Sequence, residues 1–239
     1  MERVRFFIDG REVEGNRGET VLQVARRYDI FIPALCYYEG IKPYSACRLC
    51  LVQVKKGKRT RLVTACDYPV SEGIEVTTSN EVIDKCRKVV LQLLMARCPS
   101  LPKLRELAGV LGVEEQPRFT KANDDCILCG LCVRACEQMV GVSAIGFEGR
   151  GFTRRVVPPF DENNPDCIVC GACAMVCPVD VIPVEERDGY RLMPRWHKKS
   201  RLMRCVKCGS YYLTEEQLNF LKSKTGLSEE ELLICPDCR

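Results

Sequence analysis

Eight of the chain's 18 cysteines fall in two short runs, "CILCGLCVRACE" at 126–137 and "CIVCGACAMVCP" at 167–178. Ionised sulfur is a soft ligand suited to iron and zinc. A C-x2-C-x2-C-x3-C run is the spacing in which the fourth thiolate serves the other 4Fe-4S cluster of a pair. Doubling of the run therefore assigns Cys126, Cys129, Cys132 and Cys177 to one cluster, and Cys167, Cys170, Cys173 and Cys136 to a second. Gly130 and Gly171 fall between the second and third cysteines of their runs. Lack of a side chain there lets backbone amides approach the inorganic sulfides and tune the potential.

Two more cysteine groups flank this pair. Cys205 and Cys208, then Cys235 and Cys238, form two C-x2-C knuckles separated by 26 residues. That is the spacing of a zinc ribbon, with rubredoxin-like iron or a further iron-sulfur cluster as alternatives. Cys36, Cys47, Cys50 and Cys66 are spaced C-x10-C-x2-C-x15-C. A loop carrying three thiolates with a fourth from a later strand can enclose a 2Fe-2S cluster. A zinc knot is the rival, although only Cys47 and Cys50 form a zinc-like pair.

The elements positioning these sulfurs are partly legible. "RVRFFIDG" and "REVEG" read as strands, and Thr20 with Gln23 forms a capping-box pattern for a helix to about Tyr28. "CLVQVKK" and "KRTRLVTAC" read as strands joined at Gly57, followed by "GIEVTT", which gives a small mixed sheet crossed by one helix. Val82, Ile83, Cys86, Val89, Val90, Leu93 and Leu94 recur at helical spacing between about 80 and 97. On that reading Cys86 is a buried small hydrophobe. "SLPKLRELAGVLGV" reads as another helix ending near Gly112. "VSAIGF" and "RRVVPPF" are strand-like, and "TEEQLNFLKSKTGLSEEELL" is helical with Thr214 and Ser228 as N-caps. The fold class is α+β in four modules. These are a β-grasp 2Fe-2S ferredoxin domain at 1–78, a helical connector at 79–120, a two-cluster 4Fe-4S ferredoxin domain at 121–196 and a zinc-ribbon-like module at 197–239.

"PALCYYEGIKPYSACRLCLVQV" closely resembles the N-terminal ferredoxin-like domain of the large iron-sulfur subunit of respiratory complex I, and its relatives in NAD(P)-linked hydrogenases and formate dehydrogenases. "GVSAIGFEGRGF", between the two runs, resembles the two-cluster domain of iron-iron hydrogenases and NAD-linked formate dehydrogenases. Pro178 follows its run as in bacterial ferredoxins, whereas the first run has Glu137. The resemblance spans roughly residues 1–185 in the same domain order and favours a 2Fe-2S cluster at Cys36, Cys47, Cys50 and Cys66. Those families place a 4Fe-4S cluster with one histidine and three cysteine ligands after the connector helix. Here His197 is the only histidine and Cys98 the lone cysteine between 87 and 125, so that cluster is not expected.

The formal charge of +4 counts every cysteine as neutral. With three clusters and a zinc each contributing about −2, the loaded chain falls near −4, so a nucleic-acid partner is not expected. No apolar signal core opens the sequence, and "VVLQLLMA" is too short to span a membrane, which suggests a cytoplasmic protein without direct membrane insertion. Neither G-x-G-x-x-G after a strand nor a P-loop is present, and no catalytic site is visible. "RWHKKSRLMR" is either a docking patch for an acidic partner or a solvated linker over Trp196, and "KKGKRTR" at 55–61 a solvated hairpin.

The reading that results is a subunit without catalysis of its own. By the resemblance, it relays single electrons between flavin- and NAD(P)-binding diaphorase subunits and a hydrogenase, nickel-iron first, or a formate dehydrogenase, with electron bifurcation open. A stand-alone polyferredoxin is the alternative of the same class, and a zinc-dependent structural or interaction protein the alternative of another.

Overall fold

The computed structural model describes residues 2–114, 119 and 124–239. The chain divides into two compact units, residues 1–129 and 130–239. The boundary expected at 120/121 lies outside the described residues.

The first unit is built on a five-stranded mixed sheet. Strands β1 (Arg3–Ile8), β2 (Arg11–Asn16), β3 (Leu51–Lys56), β4 (Arg59–Thr64) and β5 (Glu75–Thr77) lie in the order β2-β1-β5-β3-β4. Only the β1–β5 pair is parallel. β1 alternates strictly, with Val4, Phe6 and Ile8 turned into the core as period-two side chains require. Helix α1 (Val21–Arg27) supplies Val21, Leu22, Val24 and Ala25 to that core, and its capping box joins Thr20 and Gln23 as expected. Gly15 lets the helix sit close, since a Cβ there would lie 2.9 Å from Val24 Cγ2.

Sequence periodicity misplaces the buried face of helix α2 (Glu81–Arg97). Ile83, Arg87, Leu91 and Met95 are buried, whereas Val82, Val89 and Leu93 are exposed and Cys86 is only half-buried. An arginine in the inward stripe hides it from a reading that looks for apolar residues. Helix α3 (Pro102–Leu111) opens on Pro102 and stops at Gly112, left-handed at φ 60°, as the sequence suggests.

The second unit begins with a short helix α4 (Leu131–Arg134) that runs into a π-helical turn, Ala135–Val140, carrying Cys136. Strands β6 (Gly146–Glu148) and β7 (Arg155–Val157) pair as a hairpin, and α5 (Ala172–Met175) carries Cys173. A four-stranded antiparallel sheet follows, β8 (Glu185–Arg187), β9 (Tyr190–Met193), β10 (Lys198–Arg204) and β11 (Tyr211–Thr214). The stretch read as linker or docking patch is thus largely strand β10 and the turn before it, and Trp196 is buried within that turn. Met193 pairs with Lys198, so the sheet is continuous through residue 197. Helices α6 (Glu215–Thr225) and α7 (Glu229–Leu232) are capped by Thr214 and Ser228. Their core with β11 holds just three fully enclosed hydrophobics, Leu213, Leu218 and Leu232. So small a core ordinarily needs a staple. Among the described residues no helix is long and apolar enough to cross a membrane.

Candidate metal centres

None of the 18 cysteines is in a disulfide. In the first unit Cys50 and Cys66 sit at one end of the β3–β4 hairpin, where the Ala65 amide donates to the Cys50 carbonyl at 2.8 Å. Cys36 and Cys47 come from the loop between α1 and β3, and the Cys47 amide approaches Cys36 Sγ at 3.4 Å. Ser45 Oγ lies 3.4 Å from Cys66 Sγ. Each of the four is at most 4% exposed. Hydrogen bonding to Cys36, then burial, drives the Cys47 thiol far up; Cys66 is drawn down by Cys36, but its contact with Cys50 and burial outweigh this and push it to about 11. Buried sulfurs that resist ionisation by themselves become good ligands once a cationic centre offsets their charge.

One residue that sequence reasoning missed holds this loop. Arg87, 4% exposed on α2, donates from Nε to Leu49 O at 3.1 Å and from Nη2 to Leu51 O at 2.5 Å. These carbonyls flank Cys50, and without the guanidinium they would be buried acceptors lacking that donor. No spacing signal announces this role, since an arginine in an apolar stripe looks like an interruption.

In the second unit Cys136, Cys167, Cys170 and Cys173 line one small cavity, together with Ile145 and Trp196. The fourth cysteine of the first run thus lines one cavity with the first three of the second. Donors converge on the sulfurs: the Ala144 amide reaches Cys136 Sγ at 3.2 Å and Trp196 Nε1 reaches Cys173 Sγ at 3.3 Å. Burial pushes Cys173 up to about 12 against the pull of Trp196, and raises Cys136 and Cys167. The loop backbone is bent for this purpose. Val169 at φ 53° and Gly171 at φ 81° are left-handed, and so are Leu128 at 54° and Gly130 at 71° in the first run. A buried β-branched residue in that region is costly and persists only where the surroundings demand it. The inverted residues flank Cys129 and Cys170, and the Leu128 amide donates to Cys126 Sγ at 3.4 Å. Of the ligands expected for the other cluster, Cys126 and Cys129 lie in the first unit and Cys132 and Cys177 in the second.

The Sγ atoms of Cys205, Cys208, Cys235 and Cys238 all lie within 4.8 Å of one another. A tetrahedral ion ~2.3 Å from each sulfur would have edges of about 3.8 Å, and Cys208 Sγ to Cys235 Sγ measures 3.8 Å. Amides of Cys235 and Cys208 lower Cys205 to about 6, whereas Cys238 is pushed up to about 12 by Cys235 and then Cys208. One thiolate is thus ready-made and the group suits a structural ion.

Cys98, outside these groups, caps α2, is fully buried, and is raised to about 12 by burial.

Residues 1–81 match the 2Fe-2S iron-sulfur cluster binding domain family, and residues 166–210 match the 4Fe-4S dicluster domain family. The second match takes in Cys167 to Cys177 and reaches Cys208, beginning after the first run. The NADH-ubiquinone oxidoreductase 75 kDa subunit of Reclinomonas americana is 31% identical over 62% of this chain and 25% of its own length. The chain is homologous to that subunit. A further relative is the NADPH-Fe(3+) oxidoreductase subunit alpha of Geobacter sulfurreducens, 30% identical over 62% of this chain and 20% of its own. The chain therefore spans a quarter or less of the length of these two relatives. Among solved structures, a chain of an NAD+-reducing NiFe hydrogenase in the H2-reduced state superposes with a TM-score of 0.56 at 27% identity, covering 65% of this chain and 74% of that one. The chain thus carries ferredoxin-type 2Fe-2S and 4Fe-4S domains and is similar to iron-sulfur chains of NAD(P)-linked oxidoreductases.

Proposed function

We propose that this chain is the electron-relay subunit of a multi-subunit, NAD(P)-linked oxidoreductase, with one 2Fe-2S cluster, two 4Fe-4S clusters and one zinc. The observation that carries the reading is the cavity ringed by Cys136, Cys167, Cys170 and Cys173, because a crossed ligand set is the property of a cluster pair. Cys36, Cys47, Cys50 and Cys66 hold the 2Fe-2S cluster; Cys126, Cys129, Cys132 and Cys177 hold the first 4Fe-4S cluster; Cys205, Cys208, Cys235 and Cys238 hold zinc. When bound, the clusters supply one-electron couples that change oxidation state with little rearrangement. The protein's own share is to ligate, to exclude water and to aim N–H donors at sulfur. The names of the relatives and of the hydrogenase neighbour support an NAD(P)-binding module on one side and a nickel-iron hydrogenase on the other; a flavin in the first and formate dehydrogenase as second choice for the other rest on the sequence resemblance.

The test is anaerobic purification of the full chain with metal, sulfide and subunit analysis. About ten iron with matching acid-labile sulfide and about one zinc per chain are expected. Purification from the native source should bring flavin-containing subunits with it. A colourless, zinc-only protein refutes the reading, and a fully loaded chain that elutes alone leaves a stand-alone polyferredoxin in its place.

A further inference from the structure

We propose that Trp196 is a positioning residue for the second 4Fe-4S cluster, whose indole N–H, held against Cys173 Sγ, raises that centre's reduction potential. The inference rests on the reading of Cys136, Cys167, Cys170 and Cys173 as its ligands. Trp196 is the only tryptophan in the chain and is 2% exposed. Its Nε1 lies 3.3 Å from Cys173 Sγ, and its ring forms part of the cavity wall beside Met193.

The placement is built in by the C-terminal sheet. β9 ends at Met193, a tight turn carries Pro194–Trp196, and His197 at φ 51° returns the chain into β10. Two neighbouring strands hold the same cysteine loop. Arg191 Nη1 on β9 donates to Val169 O at 3.4 Å, and Thr214 Oγ1 at the end of β11 donates to Ile168 O at 2.7 Å. The Thr214 hydroxyl also accepts from the Gln217 amide at 3.2 Å. β11 in turn leaves the Cys205–Cys208 knuckle, where the Cys205 amide donates to Ser210 O at 2.9 Å. The sheet following the cysteine runs is therefore the outer wall of the second cluster's site.

A neutral thiol is a poor acceptor, so a buried indole N–H is matched only when the sulfur is anionic. Hydrogen bonds to ligand sulfur draw charge from the cluster and favour its more negative, reduced form. Removing the donor while keeping an aromatic ring should make the centre harder to reduce.

The experiment is an EPR-monitored redox titration of the anaerobically purified full chain and its Trp196→Phe variant. The expected result is a reduction equilibrium about tenfold less favourable at the second 4Fe-4S centre, equivalent to about 59 mV for a one-electron couple. The 2Fe-2S centre and the other 4Fe-4S centre should stay in place. A variant with full iron and unchanged potentials overturns the inference. Should Trp196→Phe lose the cluster, the unsubstituted chain grown on indole-15N tryptophan decides, because it carries one label only: pulsed EPR of the reduced protein must show a 15N coupling at one 4Fe-4S centre, and its absence overturns the inference. A chain that binds no cluster at these cysteines overturns the ligand assignment, whereas a loaded chain with neither shift nor coupling overturns the role of Trp196 alone.

Discussion

Replacing Arg87 with methionine keeps most of the side-chain volume but removes the two donors that tie α2 to the loop around Cys50. Each is a hydrogen bond from a charged group to a buried carbonyl, worth about 1.5–3 kcal/mol. Against this stands relief of the cost of burying the guanidinium, a cost visible in the way desolvation lowers its affinity for a proton. The balance is a loss of about 2–4 kcal/mol, local to the loop, which raises the population of its open form by about thirty- to several-hundredfold at 1.4 kcal/mol per decade. With reclosing faster than attack, the bleaching rate of the 2Fe-2S absorbance in excess chelator reads that population. The control is Asp84→Asn. Asp84 Oδ1 lies 3.8 Å from Arg87 Nη1 with its side chain 43% exposed, a pair worth less than ~1 kcal/mol and about fivefold in rate. If Arg87→Met bleaches no faster than Asp84→Asn, Arg87 does not hold the loop.

Gly15→Val should destabilise the first unit by about 1–3 kcal/mol through overpacking, because even a Cβ would meet Val24 Cγ2 at 2.9 Å and Val70 Cγ2 at 3.2 Å; a variant with an unchanged denaturation midpoint contradicts that packing. Cys136→Ser should empty or convert the second 4Fe-4S centre and spare the first, read as loss of one of two 4Fe-4S EPR signals; loss of the other signal would show that the ligands do not cross. Zinc affinity at the C-terminal site, measured by chelator competition, should fall at least about tenfold per unit as pH drops from 8 to 6. Cys205, lowered to about 6, is mostly ionised at pH 8 and half-protonated at pH 6, whereas Cys238, raised to about 12, must give up a proton on binding throughout. Affinity independent of pH would mean that the four thiols are not the ligands.

The gathering of Cys205, Cys208, Cys235 and Cys238, and of Cys136 with Cys167, Cys170 and Cys173, was legible because ligand spacing is local: a metal that binds C-x2-C constrains a few residues whatever surrounds them. The mixed sheet and α1 were legible for a similar reason, since β1 alternates strictly and Thr20 and Gln23 advertise the helix start. What escaped was decided by long-range partners. The apolar stripe Val82, Val89 and Leu93 and the buried stripe Ile83, Arg87 and Leu91 both have helical spacing. The choice between them is made by two carbonyls nearly forty positions away in the chain. The β8–β9 hairpin is a different case. Asp188 and Gly189, at φ 53° and 76°, form a two-residue turn between paired Arg187 and Tyr190. Asp-Gly is a strong hairpin signal, but it is flanked by exposed, charged residues in place of an alternating apolar pattern, and it went unread.

That unread hairpin matters because the sheet it begins changes what the C-terminal four-cysteine group does. As an appended ribbon, the group would need only to fold itself. Thr214, Arg191 and Trp196 instead reach the loop between Cys167 and Cys173 from three successive places in that sheet. An ion at Cys205, Cys208, Cys235 and Cys238 would fix the start of β11, and β11 ends on the carbonyl of Ile168. A small hydrophobic core cannot by itself hold such a strand in register; a tetrahedral ion can. On the proposed ligand sets, a structural ion and a redox cluster would be mechanically connected within one unit, and loss of the first should loosen the donors around the second.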